Sequence, residues 1–334
     1  MSQQNFTFLP LGAIIQSFRV GNFDIVQGFP TAELYQKYND PFFGETIGRV
    51  ANRISGAKIN NLNNKSYSLA ANNGPNSLHG GAQGWGKKVF EGPTEVKRNG
   101  RDCIQFRYLS VDGEEGYPGT VELMVWYHPS SEKTEGSDVV VLDVEYEASM
   151  VNDDETTEET VVAVTNHSYF NLSGSSSIEG TEVTLSTVLH QVVDDTSIPT
   201  GEIAPYPGID AGEKFILGAK EPDIDHCFIL NKDAKSVPLD TRRLNLQRLA
   251  KFYHPESRVH LEVHSTEPAF QFYTGKYIDV PQVGDVPARR ARSGMCIEPS
   301  RYIDAINHDE WRSMVVLKKD QKFGSRIVYR AWQD

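Results

Sequence analysis

Apolar residues in this chain recur with the period of an extended strand, in short runs broken by turn formers. Residues 181–185, Thr-Glu-Val-Thr-Leu, alternate clearly, and residues 121–127 alternate in part. Residues 139–146 begin as a continuous apolar run and then alternate. Such runs, rich in Val, Ile, Tyr, Phe and Thr, predict strands. Three hairpins are expected: residues 58–69 around Asn61-Leu62-Asn63-Asn64, residues 94–108 around Asn99-Gly100, and residues 250–263 across Pro255-Glu256-Ser257. Asn-Gly is the dipeptide suited to the positive φ angles of a tight two-residue turn. Helical signal is sparse. Residues 31–38 fit two turns with Thr31 as N-cap. No 3.6-residue periodicity is sustained, and no internal repeat is present. The pattern predicts an all-β chain with a large antiparallel architecture, a sandwich being favoured, and by itself it leaves a barrel or propeller open.

Length and composition narrow the classes. With 334 residues, 39% of them hydrophobic, the chain has ample material for a sizeable core. No Pro/Gly/Ser-rich linker marks a boundary, so a single domain over residues 1–334 is expected. The formal net charge of −12 argues against a nucleic-acid groove or an anionic membrane surface as partner. The acidic run Asp153-Asp154-Glu155-Thr156-Thr157-Glu158-Glu159 reads as a solvated loop in preference to a calcium site. Cys103, Cys227 and Cys296 read as reduced, packed intracellular thiols. Residues 1–6 lack a basic region followed by a long apolar run, and no apolar run approaches membrane-spanning length. A cytoplasmic location is expected.

Two distant segments carry candidate chemistry. Residues 165–172 read Thr-Asn-His-Ser-Tyr-Phe-Asn-Leu, and residues 295–302 read Met-Cys-Ile-Glu-Pro-Ser-Arg-Tyr. Each sets one proton-transfer residue, His167 or Glu298, among hydrogen-bonding groups and aromatics. An imidazole and a carboxylate form a natural acid/base couple for a neutral polar substrate. The competing reading makes His167 a satisfied structural histidine and Glu298 half of a salt bridge with Arg301. Four further segments add weight: Gly48-Arg49-Val50-Ala51-Asn52-Arg53-Ile54, the turn-rich run from Asn72 to His79-Gly80-Gly81, Asp223-Ile224-Asp225-His226-Cys227-Phe228, and Glu267-Pro268-Ala269-Phe270-Gln271-Phe272-Tyr273-Thr274.

Together these segments resemble the aldose 1-epimerase (galactose mutarotase) family, in the family's order, from about Gly44 to about Tyr329. The resemblance implies a many-stranded antiparallel β-sandwich with a sugar cleft on one sheet. It implies interconversion of the α and β anomers of a free aldohexose, galactose or glucose. One group takes the proton of the C1 hydroxyl and another protonates the ring oxygen O5. The C1 aldehyde then rotates and the ring closes with either hand. By resemblance Glu298 is the base and His167 the acid, with His79 near the ring oxygen and Arg53, Asn52, Asp225 and Gln271 on the sugar hydroxyls. Asp223 is a nearby decoy for Asp225. Tyr117 and Trp85 fit a cleft wall or the core equally. Proton transfer needs no metal or redox cofactor, and the partner implied is the small-molecule sugar alone. A sugar-binding sandwich without activity would have no need of both His167 and Glu298. A glycoside hydrolase usually needs two carboxylates flanking the bond. A hexose 6-phosphate mutarotase would gather several cations. Arg49 and Arg301 are close in sequence to site residues and leave that last alternative open.

Overall fold

The alternation in residues 121–127 and 139–146 belongs to two fourteen-residue strands, Val121–Thr134 and Ser137–Met150, paired antiparallel along their whole length. They lie within a nine-stranded sheet of the computed structural model, which describes residues 5–134, 136–151 and 157–334. From one edge the strands run Lys214–Ile216, Glu182–Leu185, Gln247–His254, Val259–Ser265, Phe323–Gln333, Ser137–Met150, Val121–Thr134, Arg101–Ser110 and Glu91–Arg98. A second, six-stranded sheet runs Tyr169–Phe170, Met295–Ser300, Ala269–Tyr273, Asp225–Ile229, Leu189–Val193 and Pro199–Pro205. All pairings within both sheets are antiparallel.

The main core is the space between these layers. Leu123, Val125 and Tyr127, then Leu142, Val144 and Tyr146, are the alternate residues of two long strands that turn inward. Phe170, Phe270, Phe272, Met295 and Ile297 meet them from the smaller sheet. Cross-layer ring contacts include Phe170 with Tyr329 at 5.3 Å and Phe252 with Phe272 at 5.9 Å. The opposite face of the large sheet carries ion pairs beside a small apolar cluster of Val139, Val141 and Val328: Asp143 pairs with Arg101 at 2.6 Å and Arg326 at 2.7 Å, and Glu145 with Arg98 at 2.9 Å. This is the inside/outside alternation expected of two packed antiparallel sheets.

The three hairpins form as Lys58–Leu62 with Lys65–Ser68, Glu91–Arg98 with Arg101–Ser110, and Gln247–His254 with Val259–Ser265. Asn99 and Gly100 take φ angles of 52° and 76°. Among the described residues one α-helix forms, Ala32–Tyr38. Thr31 holds the N-cap position with extended φ and ψ, but its side chain makes no cap hydrogen bond. Of the acidic run, Asp153 to Thr156 lie outside the described residues, as do Met1 to Gln4. Glu158 and Glu159 pair with Lys319 and Lys318. The three cysteines are free and buried. Among the described residues no helix is long and apolar enough to cross a membrane.

Candidate functional site

The polar face of the six-stranded sheet is assembled by register. Gln271 lies opposite Glu298, Tyr273 opposite Cys296, Tyr169 opposite Cys296 on its other side, and Asp225 opposite Tyr273. Side chains at these positions point away from the core, because the intervening residues Phe170, Phe270, Phe272, Met295 and Ile297 fill it. The strand period therefore puts one acid, one amide and a second carboxylate side by side. Gln271 Nε2 donates to Asp225 Oδ1 at 2.6 Å, and its Oε1 accepts from Asn52 Nδ2 at 3.2 Å. The amide is thereby fixed in orientation.

The histidines arrive from loops folded over this face. His167 is clasped at both ends: its N–H donates to the Glu45 carbonyl at 2.9 Å, and its carbonyl accepts from Gly44 N–H at 3.1 Å. Asn166 anchors the same turn through Gly44 O and the Ser168 backbone and hydroxyl. His79 follows the short pairing of Arg53 with Leu78. Its N–H donates to Asn52 O, and its Nδ1 accepts from Asn52 N–H at 3.3 Å. Phe42, Asn52 and His79 all take positive φ, at 68°, 61° and 52°. That conformation is uncommon for side-chain-bearing residues and concentrates at functional sites. Gly80, at φ 83°, continues the turn, and a Cβ there would run into the Gly48 carbonyl. The His-Gly-Gly run is thus a turn that presents His79 to the cleft.

These elements enclose a cleft of about 590 Å³ lined by all seven residues singled out in the sequence: Asn52, Arg53, His79, His167, Asp225, Gln271 and Glu298. His167 Nε2 stands 3.5 Å from Glu298 Oε1, and both residues are 4% exposed. The His79 and His167 rings meet edge to face at 5.1 Å, with Phe42 packed on both. Arg53 donates from Nε to Asn73 Oδ1 at 3.0 Å and from Nη1 to Asn52 Oδ1 at 3.3 Å, and among the described residues it forms no ion pair. Its fork is therefore held in place without being neutralised.

Burial sets the protonation of the couple. Desolvation, with Asp225 adding to it and Arg53 opposing it, pushes the Glu298 carboxyl well above the usual carboxylate range. Desolvation drives His167 down to about 3, and takes His79 well below its ordinary value with help from His167 and Arg53. Burial thus favours a neutral carboxylic acid facing a neutral imidazole. A carboxylate facing an imidazolium carries the same number of protons. The two forms differ only in which partner holds the one they share. Ligand-capable atoms of His79, His167 and Glu298 also lie within 4.8 Å of one another, a spacing that suits a metal ion as well as a proton. His79 Nδ1, however, accepts a backbone N–H, so the neutral ring carries its proton on Nε2 and neither nitrogen is a free ligand.

Several neighbours in sequence stay out of the cleft. Arg49 is buried among the carbonyls of Ser110, Pro118 and Gly119. Arg301 pairs with Glu267 at 2.7 Å, not with Glu298. Trp85 packs on Gly48 and Tyr108, and Tyr117 on Arg49, so both belong to the core and not to the wall. Asp223 pairs with Lys276 at 2.6 Å. His226 packs against His190 and Tyr206. The cleft wall is instead Phe42, Tyr169, Tyr273 and Tyr277, with Asp40 and Asp279 at its rim. Tyr169 and Tyr273 had a usable signal, since each is two residues, or one cross-strand step, from a site residue. Asp40, Tyr277 and Asp279 lie in loops, where no periodicity points to them.

With this geometry in hand, the comparisons with known proteins are direct. A family model for aldose 1-epimerase matches residues 3–330. The chain is 38% identical over 310 residues to the galactose mutarotase of Homo sapiens, covering 90% of this chain and 81% of that protein. It is 34% identical over 323 residues to the bifunctional protein gal10 of Schizosaccharomyces pombe, and 37% identical over 324 residues to GAL10 of Pachysolen tannophilus. Those alignments cover 95% and 96% of this chain but 42% and 44% of the relatives, so the chain spans less than half their length. The solved GalM/aldose epimerase homologue from C. elegans superposes with a TM-score of 0.80 at 25% identity, over 98% of this chain and 95% of that one. Since the family model spans nearly the whole chain and relatives above 30% identity accompany it, the chain belongs to the aldose 1-epimerase family.

Proposed function

We propose that the chain is an isomerase that interconverts the α and β anomers of a free aldohexose, galactose or glucose, by proton transfer alone. One observation carries the reading: a carboxyl and two imidazoles converge within 4.8 Å in a cleft otherwise lined by hydroxyl-binding groups. Glu298 takes the C1 hydroxyl proton while His167 gives a proton to O5, the C1–O5 bond opens, and rotation about C1–C2 exposes either face for reclosure. Ring opening converts the carboxylate–imidazolium form into the neutral pair that burial favours, and closure reverses it. His79 stabilises the opened oxygen. Arg53, Asn52, Asp225 and Gln271 hold the sugar hydroxyls, a fork and a pre-oriented amide being suited to vicinal hydroxyls. The chain works as one domain, in the cytoplasm, without nucleic acid or membrane as partner.

Free sugars are favoured over 6-phosphates because Arg49 and Arg301 are committed elsewhere. Among the described residues lining the cleft, Arg53 is the one guanidinium or ammonium, against Asp40, Asp225, Asp279 and Glu298. A doubly charged phosphate needs paired donors. Polarimetry on freshly dissolved α-galactose, α-glucose and α-glucose 6-phosphate at one ionic strength tests the reading. Acceleration of the free sugars is expected, and preference for the phosphate would overturn the substrate class. The rate should survive exhaustive chelation, and loss with recovery on adding a divalent ion would replace proton transfer by metal chemistry.

A further inference from the structure

The polar face of the six-stranded sheet also carries a thiol that this scheme does not use. Cys296 is fully buried, two residues before Glu298 on the same strand and opposite Tyr169. Its Sγ lies 3.5 Å from His167 Nδ1. We propose that Cys296 is a positioning residue for the acid, its sulfur accepting a hydrogen bond from His167 Nδ1–H so that Nε2 is the nitrogen through which the shared proton moves. The proposal rests on the reading of His167 as the acid.

The proton inventory requires this tautomer. A carboxylic acid at Glu298 can hand its proton to Nε2, 3.5 Å away, only if Nε2 carries a lone pair. The neutral ring must then carry its proton on Nδ1. Which nitrogen is protonated is set by the partner of the other, and in a dry site Nδ1–H needs an acceptor. The elements packed on the ring are Phe42, His79 and Tyr169, at ring-centroid distances of 5.7, 5.1 and 5.1 Å. Cys296 is the side chain at Nδ1, and the ring also bonds the backbone of His167 itself. The Tyr169 hydroxyl also meets the sulfur and donates to it, so the sulfur serves as an acceptor on this face.

The choice of sulfur has a chemical consequence. A carboxylate or carbonyl at this position would bind Nδ1–H strongly, favour the imidazolium and weaken the acid. A thiol is a weak acceptor. It fixes the tautomer while leaving the proton on Nε2 easily lost. Burial and the nearby Glu298 push the Cys296 thiol well above its ordinary range, so it stays uncharged and adds no anionic stabilisation to the ring. The charged and titratable groups facing the couple are Glu298, His79, Tyr169 and Lys87 around His167, and Asp225 and Arg53 around Glu298.

The test begins on the unmodified protein. Selective ¹⁵N-histidine labelling, with His167→Gln for assignment, should show a protonated Nδ1 and an unprotonated Nε2 at neutral pH. The opposite tautomer would overturn the proposal, and this measurement is independent of any activity. Cys296→Ala should lower kcat about tenfold, the scale of one lost hydrogen bond, with KM nearly unchanged. Cys296→Ser should recover part of that loss because a hydroxyl also accepts. Cys296→Asp should move the alkaline limb of the kcat profile upward by strengthening the hold on Nδ1–H. A folded Cys296→Ala protein with normal kcat and an unshifted pH profile would refute the role. If the unmodified protein leaves sugars unchanged, the functional reading fails while the tautomer result still stands.

Discussion

The two faces of the six-stranded sheet are built from the same strands and differ in what one residue's shift does. On one face Phe270, Phe272 and Ile297 are buried against the large sheet, with nothing polar to satisfy. On the other, Gln271 and Glu298 are nearly as buried and Asp225 is half-buried, yet each carries groups that must be hydrogen-bonded or kept neutral. The apolar face stabilises the fold through packing, at about 25 cal/mol per Å² removed from water. The polar face works against stability, because desolvating Glu298 and His167 shifts both away from their charged forms. The sheet therefore separates stability and chemistry by strand alternation alone. A one-residue slip of the strand Met295–Ser300 would exchange them.

The two faces separate most strongly at the proposed proton-transfer couple, Glu298 and His167. Glu298→Gln and His167→Gln should each reduce anomer interconversion by about 10²–10⁴-fold, with sugar binding largely retained. Near-normal polarimetric rates in either variant would sink the assignment. Stability should move the other way for Glu298. Its folded-state value is raised, so its contribution is complete below the unfolded carboxyl value and is lost as pH rises through the folded one. Glu298→Gln should then melt at or above the parent temperature at neutral and alkaline pH. On the apolar face, Phe272→Ala should cost about 3–5 kcal/mol of unfolding free energy, with the surviving folded fraction keeping its specific activity. Denaturant titration beside polarimetry reads both quantities. A Phe272 variant that keeps its stability but loses catalysis would erase the division between the faces.

The same division explains what the sequence disclosed. Alternation in residues 121–127 and 139–146 was enough for the long strands, and Asn99-Gly100 for its turn, because strand period and turn chemistry are local. The layered sandwich was only one option from pattern alone, since pairing order across the sheet is not local. Glu298, Gln271 and Asp225 were identified from family segments, and register explains why those segments meet. Trp85 and Tyr117 illustrate the limit. Both sit in glycine-rich, loop-like sequence that left a cleft wall and the core equally open, and each is buried, on Gly48 and on Arg49. Arg49 and Arg301 were ambiguous for a similar reason. A buried guanidinium satisfied by distant carbonyls looks in sequence like one that faces a ligand.

The pH profile sharpens the contrast by an intermediate amount, tenfold per unit along each limb. In the proposed mechanism turnover needs one proton shared between Glu298 and His167. A second proton on the pair removes the base, and His167, drawn down to about 3, resists it until strongly acid pH. Loss of the shared proton removes the acid, and Glu298, raised well above the carboxylate range, resists that on the alkaline side. Taken residue by residue, loss of Glu298 charge would set the acid limb and loss of the His167 proton the alkaline one. Burial reverses those assignments, and the apparent values belong to the couple. The expected profile is a broad plateau falling at both ends. A steep acid limb near pH 6 would show that His167 titrates as an exposed histidine.

The smallest expected effect lies at the rim, where neither face's constraint applies. Tyr277 is 75% exposed, lines the cleft, and stacks on Tyr273 at 6.4 Å. Its backbone N–H donates to the Tyr273 hydroxyl at 2.5 Å, which holds the loop against the wall. An aromatic ring so open to water contributes little to folding, so its removal leaves the melting temperature unchanged within measurement. Against a sugar it offers an apolar surface for C–H groups and a hydroxyl for solvent-side contacts. Tyr277→Ala should raise KM a few-fold with kcat intact, because the rim touches the ground state and the transition state alike and loses binding that is uniform between them. A fall in kcat without a change in KM would place Tyr277 with the polar face of the sheet, as a residue that acts on the opening of the ring.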